Sequence, residues 1–212
     1  DPDFETKMHD VLVVYKQVEM QFDENGDIIV STDSPMIHTI SCDEKPGIQA
    51  IATTSDDLRP TEGNGCVYRD YEYKRLGTMS LIAGIDLLTG IAIPVVSETH
   101  KSSDFICLLK KLDEMYPEGD VIRIICDNHS AHKAKEVQNY LATKPEGRYV
   151  FVFIPKHASW LNLIECFFSK MTKQMLKGIR VKSKQELADR IYQYFDEINK
   201  EPVVFHWTYK LD

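Results

Sequence analysis

The chain has 212 residues, with 25 Lys and Arg against 33 Asp and Glu, a formal net charge of −8, and 43% apolar and 27% charged residues. These are globular proportions; they exclude a disordered or fibrous chain and a generic basic protein that coats nucleic acid, and the length suits one domain with a substantial core. No apolar run approaches the roughly 18 residues of a membrane span. No signal peptide opens the chain, and its first residue is Asp rather than Met, as expected of a fragment. The five cysteines, Cys42, Cys66, Cys107, Cys126 and Cys166, are odd in number and include no C-x-x-C pair. That usage points to free thiols in a reducing compartment rather than to a disulfide framework or a zinc knuckle.

In chain order, apolar spacing predicts a first helix over 4–20, and Asp23-Glu24-Asn25-Gly26-Asp27 reads as a solvated turn. Residues 37–43 alternate at strand period: His38, Ile40 and Cys42 face one way, Ile37, Thr39, Ser41 and Asp43 the other. Pro46-Gly47 is expected to break the chain soon afterwards. Residues 56–65 read as a loop and 68–86 contain a strand; Thr89-Gly90 turns, and 91–96 return as the second arm of a hairpin. Phe105, Leu108, Leu109, Leu112 and Tyr116 mark one helix face. A short apolar strand over 121–126 ends at Asp127. A helix over 131–141 follows, then a strand over 148–154 stopped by Pro155. Trp160, Leu161, Ile164, Phe167, Phe168 and Met171 predict a helix with a broad apolar stripe, with Trp160 and the Phe pair in the core. Ser183-Lys184-Gln185-Glu186 is a capping box ahead of a last helix carrying Leu187, Ile191, Phe195 and Ile198. Early antiparallel strands followed by alternating strands and helices predict an α/β fold, a mixed sheet flanked by helices.

Two of the strands end alike, in Ile40-Ser41-Cys42-Asp43-Glu44 and Ile124-Ile125-Cys126-Asp127-Asn128. Ligand sites in open α/β sheets lie at the carboxyl ends of strands. If these two strands are parallel neighbours, Asp43 and Asp127 converge there. Adjacent carboxylates repel, and one takes up a proton unless a cation lies between them. Hard oxygen ligands suit magnesium or manganese. At about 100° per residue, Glu165 lands at the edge of the apolar stripe of the 160–171 helix, where a carboxylate can face the sheet.

Four segments in the correct order then carry a resemblance. They are Asp43-Glu44-Lys45-Pro46-Gly47-Ile48-Gln49-Ala50; Arg69-Asp70-Tyr71-Glu72-Tyr73-Lys74-Arg75 leading into Gly77-Thr78; Asp127-Asn128-His129-Ser130-Ala131-His132; and Pro155-Lys156-His157-Ala158-Ser159-Trp160-Leu161-Asn162-Leu163-Ile164-Glu165. The chain resembles the catalytic part of a DDE transposase of the mariner superfamily, in the bacterial insertion-sequence branch. The resemblance implies an RNase H-like fold with a mixed five-stranded sheet, and a triad of Asp43, Asp127 and Glu165. It implies Mg2+, with Mn2+ able to substitute, in DNA cleavage and strand transfer at transposon ends and target. It also implies insertion at TA dinucleotides, a homodimer, no membrane association, and action at the nucleoid in the bacterial cytoplasm. Family members carry helix-turn-helix modules before the catalytic part; the 42 residues preceding Asp43 show no such pattern. The 37 residues between Asp127 and Glu165 slightly exceed the commonest family spacing, and an insertion near Pro145-Glu146-Gly147 absorbs the excess.

On this reading residues 1–36 are an N-terminal helix and linker, and 37–212 the catalytic domain with its C-terminal helices. Asn128 and Asn162 are expected to orient the carboxylates. His129 is expected beside them or on a phosphate, and His132 in packing at a helix start or in solvent; the two histidines lack the further ligands of a zinc site. Lys45, Arg69, Lys74, Arg75, Lys156 and Arg180, with Lys177, Lys182 and Lys184, are the cations available to grip a DNA backbone, although the 177–184 run also reads as a solvated loop. No G-x-S-x-G suggests a serine hydrolase. Two alternatives stand beside an active transposase: a truncated, inactive DNA-binding remnant, and an RNase H-like nuclease that does not join strands.

Overall fold

The computed structural model describes residues 1–30, 34–56, 58–63, 65–68, 71–128 and 130–204, apart from the side chains of 130 and 131. Strands β1 (Ile37–Thr53), β2 (Tyr73–Asp86), β3 (Ala92–Ser97), β4 (Val121–Cys126) and β5 (Tyr149–Phe153) form one sheet in the order β3-β2-β1-β4-β5. β1 pairs antiparallel with β2 and β2 with β3, while β1–β4 and β4–β5 are parallel. This is the expected mixed sheet, and it is RNase H-like.

Alternation along β1 sorts its residues between the two faces. Ile40 and Cys42 join Ile82, Ile122, Ile124 and the apolar stripe of helix α2 (Ser102–Met115), with Val137 of α3 (Lys135–Leu141), in one core. On the opposite face, Ala50, Leu81, Ala83 and Ile85 pack under α4 (Ile164–Met171) and α5 (Lys184–Ile198) through Phe167, Phe168, Leu187, Ile191 and Phe195. Helix α1 (Phe4–Glu19) covers the β4–β5 end of that second face, where Val11, Leu12, Val14, Tyr15 and Val18 meet Ile125, Ile154 and Leu161. Each fully buried side chain of this size contributes about 1.5–3 kcal/mol. Ser183 caps α5 as expected, its hydroxyl accepting the Glu186 N–H at 3.0 Å, but the Glu186 carboxylate reaches back to the Lys182 N–H rather than to Ser183.

Three expectations are corrected. Pro46-Gly47 does not end β1; the strand continues to Thr53 and absorbs the pair in a bulge between Lys45 and Ile48. Gly47 supplies the left-handed backbone there, at φ 70°. The expected helix over 131–141 is a 3-10 turn at Ser130–Lys133 followed by the shorter α3. The helix expected from Trp160 is also interrupted: a 3-10 turn at Ser159–Leu161 gives way to extended backbone at Asn162, and α4 begins at Ile164. Trp160 therefore lies out of phase with the stripe and is 52% exposed instead of core, while Phe167 and Phe168 are buried as expected.

Candidate active site

The parallel register pairs Ser41 with Ile125. Two residues further on, Asp43 and Asp127 emerge at the same edge of the sheet. Glu165 stands in the first turn of α4. All three carboxylates line one cavity of about 400 Å³, together with Asn128, Lys156 and His157. His157 holds a left-handed backbone, φ 63°, a conformation that non-glycine residues adopt at a cost and that clusters at functional sites. Its identity alone did not single it out.

Hydrogen bonds fix the Asp43 carboxylate. Its Oδ1 accepts the Glu44 N–H at 2.7 Å, and its Oδ2 accepts Asn162 Nδ2 at 3.3 Å. The same Asn162 amide donates to the Cys42 carbonyl at 2.8 Å, and Asn162 Oδ1 accepts the Ser41 hydroxyl. Asn128 bridges the ends of β4 and β5 by donating to the Ile154 carbonyl at 3.3 Å, while its Oδ1 accepts Lys133 Nζ at 2.9 Å. His132 is buried against the Phe105 ring, with Nδ1 3.5 Å from the Asp127 carboxylate and Nε2 3.6 Å from that of Glu44. It thus packs at a helix start, as expected, and also touches both strand ends. His129 and Arg69 lie outside the described residues.

Burial and neighbouring charge both act on the proton affinities at this edge. Burial, followed by the neighbouring charges of Glu165, Asp127 and Glu44, pushes the Asp43 carboxyl up to about 6, against the opposing pull of the Glu44 N–H. Burial disfavours a charged His132, but its contacts with Cys126, Glu44 and the Asp127 carbonyl outweigh that and push it up to about 10. Three carboxylates from separate elements, one of them perturbed by burial and by its neighbours' charge, fit a hard divalent cation in donor chemistry. Among the described residues, however, no group of three or more His, Cys, Asp or Glu side chains is arranged to hold a metal ion as it stands. The carboxylates share a cavity rather than a formed coordination sphere.

The candidate cations separate into groups. Lys156 lines the carboxylate cavity. Lys45 and Arg180 line a second cavity of about 290 Å³ along β1, and Arg180 also lines a third, with Lys182 and Arg190. Lys74 and Arg75 are exposed on β2 opposite Ala52 and Ile51, at the end of β1 that Val181 joins by donating to the Ile51 carbonyl. Lys177 is exposed. Lys184 is engaged with Glu98, Nζ to Oε2 2.5 Å, which removes it from the freely available cations.

The strand order β3-β2-β1-β4-β5, with its parallel β1–β4 and β4–β5 pairs and helices on both faces, defines an RNase H-like fold. Residues 40–188 match the DDE superfamily endonuclease family, and the chain belongs to it. Over 114 residues, 54% of this chain and 33% of the relative, it is 25% identical to the insertion element IS630 uncharacterized 39 kDa protein of Shigella sonnei. Its fold is similar to a pre-cleavage Mos1 transpososome, with TM-score 0.57 and 14% identity over 92% of this chain and 55% of that one. It is similar also to the catalytic domain of Mos1 mariner transposase, with TM-score 0.55 and 14% identity over 92% and 82%. At that identity the likeness is one of fold. The chain spans about a third of the insertion-element protein and about half of the transpososome chain.

Proposed function

We propose that this chain is the catalytic part of an insertion-sequence transposase that cleaves DNA at the element's ends and joins it to a target. Residues 37–212 are the catalytic unit, and residues 1–36 lead into it. Asp43, Asp127 and Glu165 are the residues that would hold Mg2+, or Mn2+ in its place. The single observation that carries this reading is the shared cavity of the three carboxylates, drawn from β1, β4 and α4. Bound divalent cations supply Lewis acidity to the scissile phosphate and lower the pKa of the attacking water. The protein's own residues prepare that site. Asn162 and the Glu44 N–H hold Asp43 in one rotamer, Asn128 ties the β4 end to the chain after β5, and Lys156 places a positive charge where a backbone phosphate must enter. Lys45, Lys74, Arg75 and Arg180 extend a cationic track along the β1–β2 arm, which an otherwise acidic chain needs to hold DNA. The whole protein acts as a homodimer on transposon ends in the bacterial cytoplasm. No helix among the described residues is long and apolar enough to cross a membrane.

The test is incubation of the chain with duplex DNA carrying the element's terminal repeats and Mg2+. Joined products are expected, and Asp43→Asn, Asp127→Asn and Glu165→Gln are each expected to abolish them while the fold persists. Cleavage without joining would make the protein a nuclease; neither product would make it an idle remnant; persistent nicking by all three folded variants would refute the site.

A further inference from the structure

Ser41 was not among the residues expected from sequence to serve the site, yet it is fully buried beside Asn162, which is also fully buried. We infer that Ser41 and Asn162 form a positioning clamp that sets Glu165 against Asp43; this deepens the proposed reading and rests on it. A hydroxyl offers one donor and two acceptor sites. Ser41 Oγ donates to Asn162 Oδ1 and accepts the Ile164 N–H at 3.0 Å. Ile164 is the first residue of α4, and Glu165 follows it directly.

The first N–H groups of a helix need partners from outside it. Leu163, at the N-cap position, provides no side-chain bond, so a hydroxyl on β1, more than 120 residues earlier in the chain, satisfies one of them. Asn162 completes the link. Its two amide hydrogens go to the Cys42 carbonyl at 2.8 Å and to Asp43 Oδ2 at 3.3 Å. The bonds of the pair therefore span the β1–α4 boundary, from the start of the helix that bears Glu165 to the carboxylate of Asp43. Apolar side chains at these positions would also pack helix on sheet, but dispersion is non-directional and tolerates sliding. Hydrogen bonds fix distance and angle. The clamp holds two mutually repelling carboxylates at one mouth, where repulsion alone would splay them.

The experiment compares Ser41→Ala, Asn162→Ala and Ser41→Thr in the full chain, with Ile191→Val in the α5 core as a stability control. Three quantities are read: Mn2+ half-saturation of the DNA-free protein by electron paramagnetic resonance, kcat and KM for cleavage of terminal-repeat DNA, and the melting temperature in EDTA. Loss of a residue that orients metal-holding groups costs about 10–100-fold in metal affinity or turnover. Ser41→Ala and Asn162→Ala are each expected to weaken Mn2+ binding and lower kcat by that order with KM unchanged. Ser41→Thr, which keeps the hydroxyl and suits a strand, restores most of both. Ile191→Val lowers the melting temperature without moving Mn2+ binding. Wild-type Mn2+ binding and kcat in both alanine variants overturn the clamp. If wild type itself neither binds Mn2+ nor cleaves, the cation reading fails separately. A crystal structure of Ser41→Ala then decides the clamp: Asp43 and Glu165 displaced from one another uphold it, and unmoved carboxylates overturn it.

Discussion

Replacing Asp43 with Asn separates what the carboxylate does for chemistry from what it does to stability. In the cation-free chain, ionised Asp43 is a liability. Burial and the charges of Glu165, Asp127 and Glu44 raise its carboxyl from 3.8 to about 6. At about 1.4 kcal/mol per tenfold change in proton affinity, that rise corresponds to about 3 kcal/mol against the folded state at neutral pH. Asn removes this cost. Its oxygen keeps the Glu44 N–H, but its amide would face the Asn162 amide, so a hydrogen bond worth about 1 kcal/mol is lost. The net expectation is a variant about 2 kcal/mol more stable, or roughly 4–8 °C in melting temperature for a chain of this size. The sign follows from linkage. The folded chain binds this proton more tightly than the unfolded chain, so the penalty is absent below about pH 4, grows up to about pH 6, and is full above that. Melting in EDTA across pH 3.5–8, read by differential scanning calorimetry, should show the advantage of Asp43→Asn shrinking as the pH falls towards that. Mg2+ should raise the melting temperature of wild type and leave Asp43→Asn nearly unmoved. A variant no more stable than wild type at neutral pH in EDTA would refute the account of the strained carboxylate.

Three further outcomes follow from other parts of the molecule. Burial alone would raise the Asp113 carboxyl, but hydrogen bonds from Tyr140, Lys144 and Arg148 outweigh it and hold it below its ordinary value. Asp113→Ala should cost about 2 kcal/mol in urea unfolding at pH 7, and the wild-type advantage should fade as the pH falls below about 4 and through the lowered folded value. Adding a methyl group at Gly84 places it 2.6 Å from Ile40 Cγ2 in the core, so Gly84→Ala should destabilise by about 1–3 kcal/mol in the same assay. Neutralising Lys45 and Arg180 together should reduce the slope of log affinity against log salt by about 2 in a DNA titration; an unchanged slope would remove both from the DNA path.

The facing of β1 was legible because its apolar residues alternate with polar ones at a period of two, although both of its faces are buried. Ile40 and Cys42 went to the α2 side, and Ser41 and Asp43 to the α4 side, as alternation required. Which strands are neighbours was not legible. The convergence of Asp43 and Asp127 was conditional on a parallel pairing that spacing cannot reveal and that the register between β1 and β4 provides. Local rules failed where distant partners override them. Pro46-Gly47 reads as a stop, yet pairing with a 14-residue β2 carries β1 through it. Trp160 reads as core because periodicity assumes an unbroken helix. The break comes at Asn162, whose side chain is bonded to Ser41, Cys42 and Asp43 across the β1–α4 boundary.

The same contrast governs the site. Position alone offered Asp43 and Asp127, which end two similar strands, and Glu165, which edges the apolar stripe of its helix; their grouping as a triad came from the family resemblance. A serine inside a strand carries no such signal. Ser41 acquires meaning through the N–H it accepts from α4, a contact that no sequence spacing encodes. Surface cations are the opposite case: lysine is so common on solvated faces that composition cannot separate Lys45, which lies over the Phe168 ring and lines a cavity with Arg180, from Lys184, which is engaged with Glu98. Net charge is no better a guide. A chain of −8 can still hold a polyanion if its negative charge is gathered where cations neutralise it and its positive charge lines the approach. On the proposed reading, Asp43, Asp127 and Glu165, which share one cavity, would meet the first condition. On the same reading, Lys45 and Arg180, which line one cavity, with Lys74 and Arg75 on β2, would supply the second.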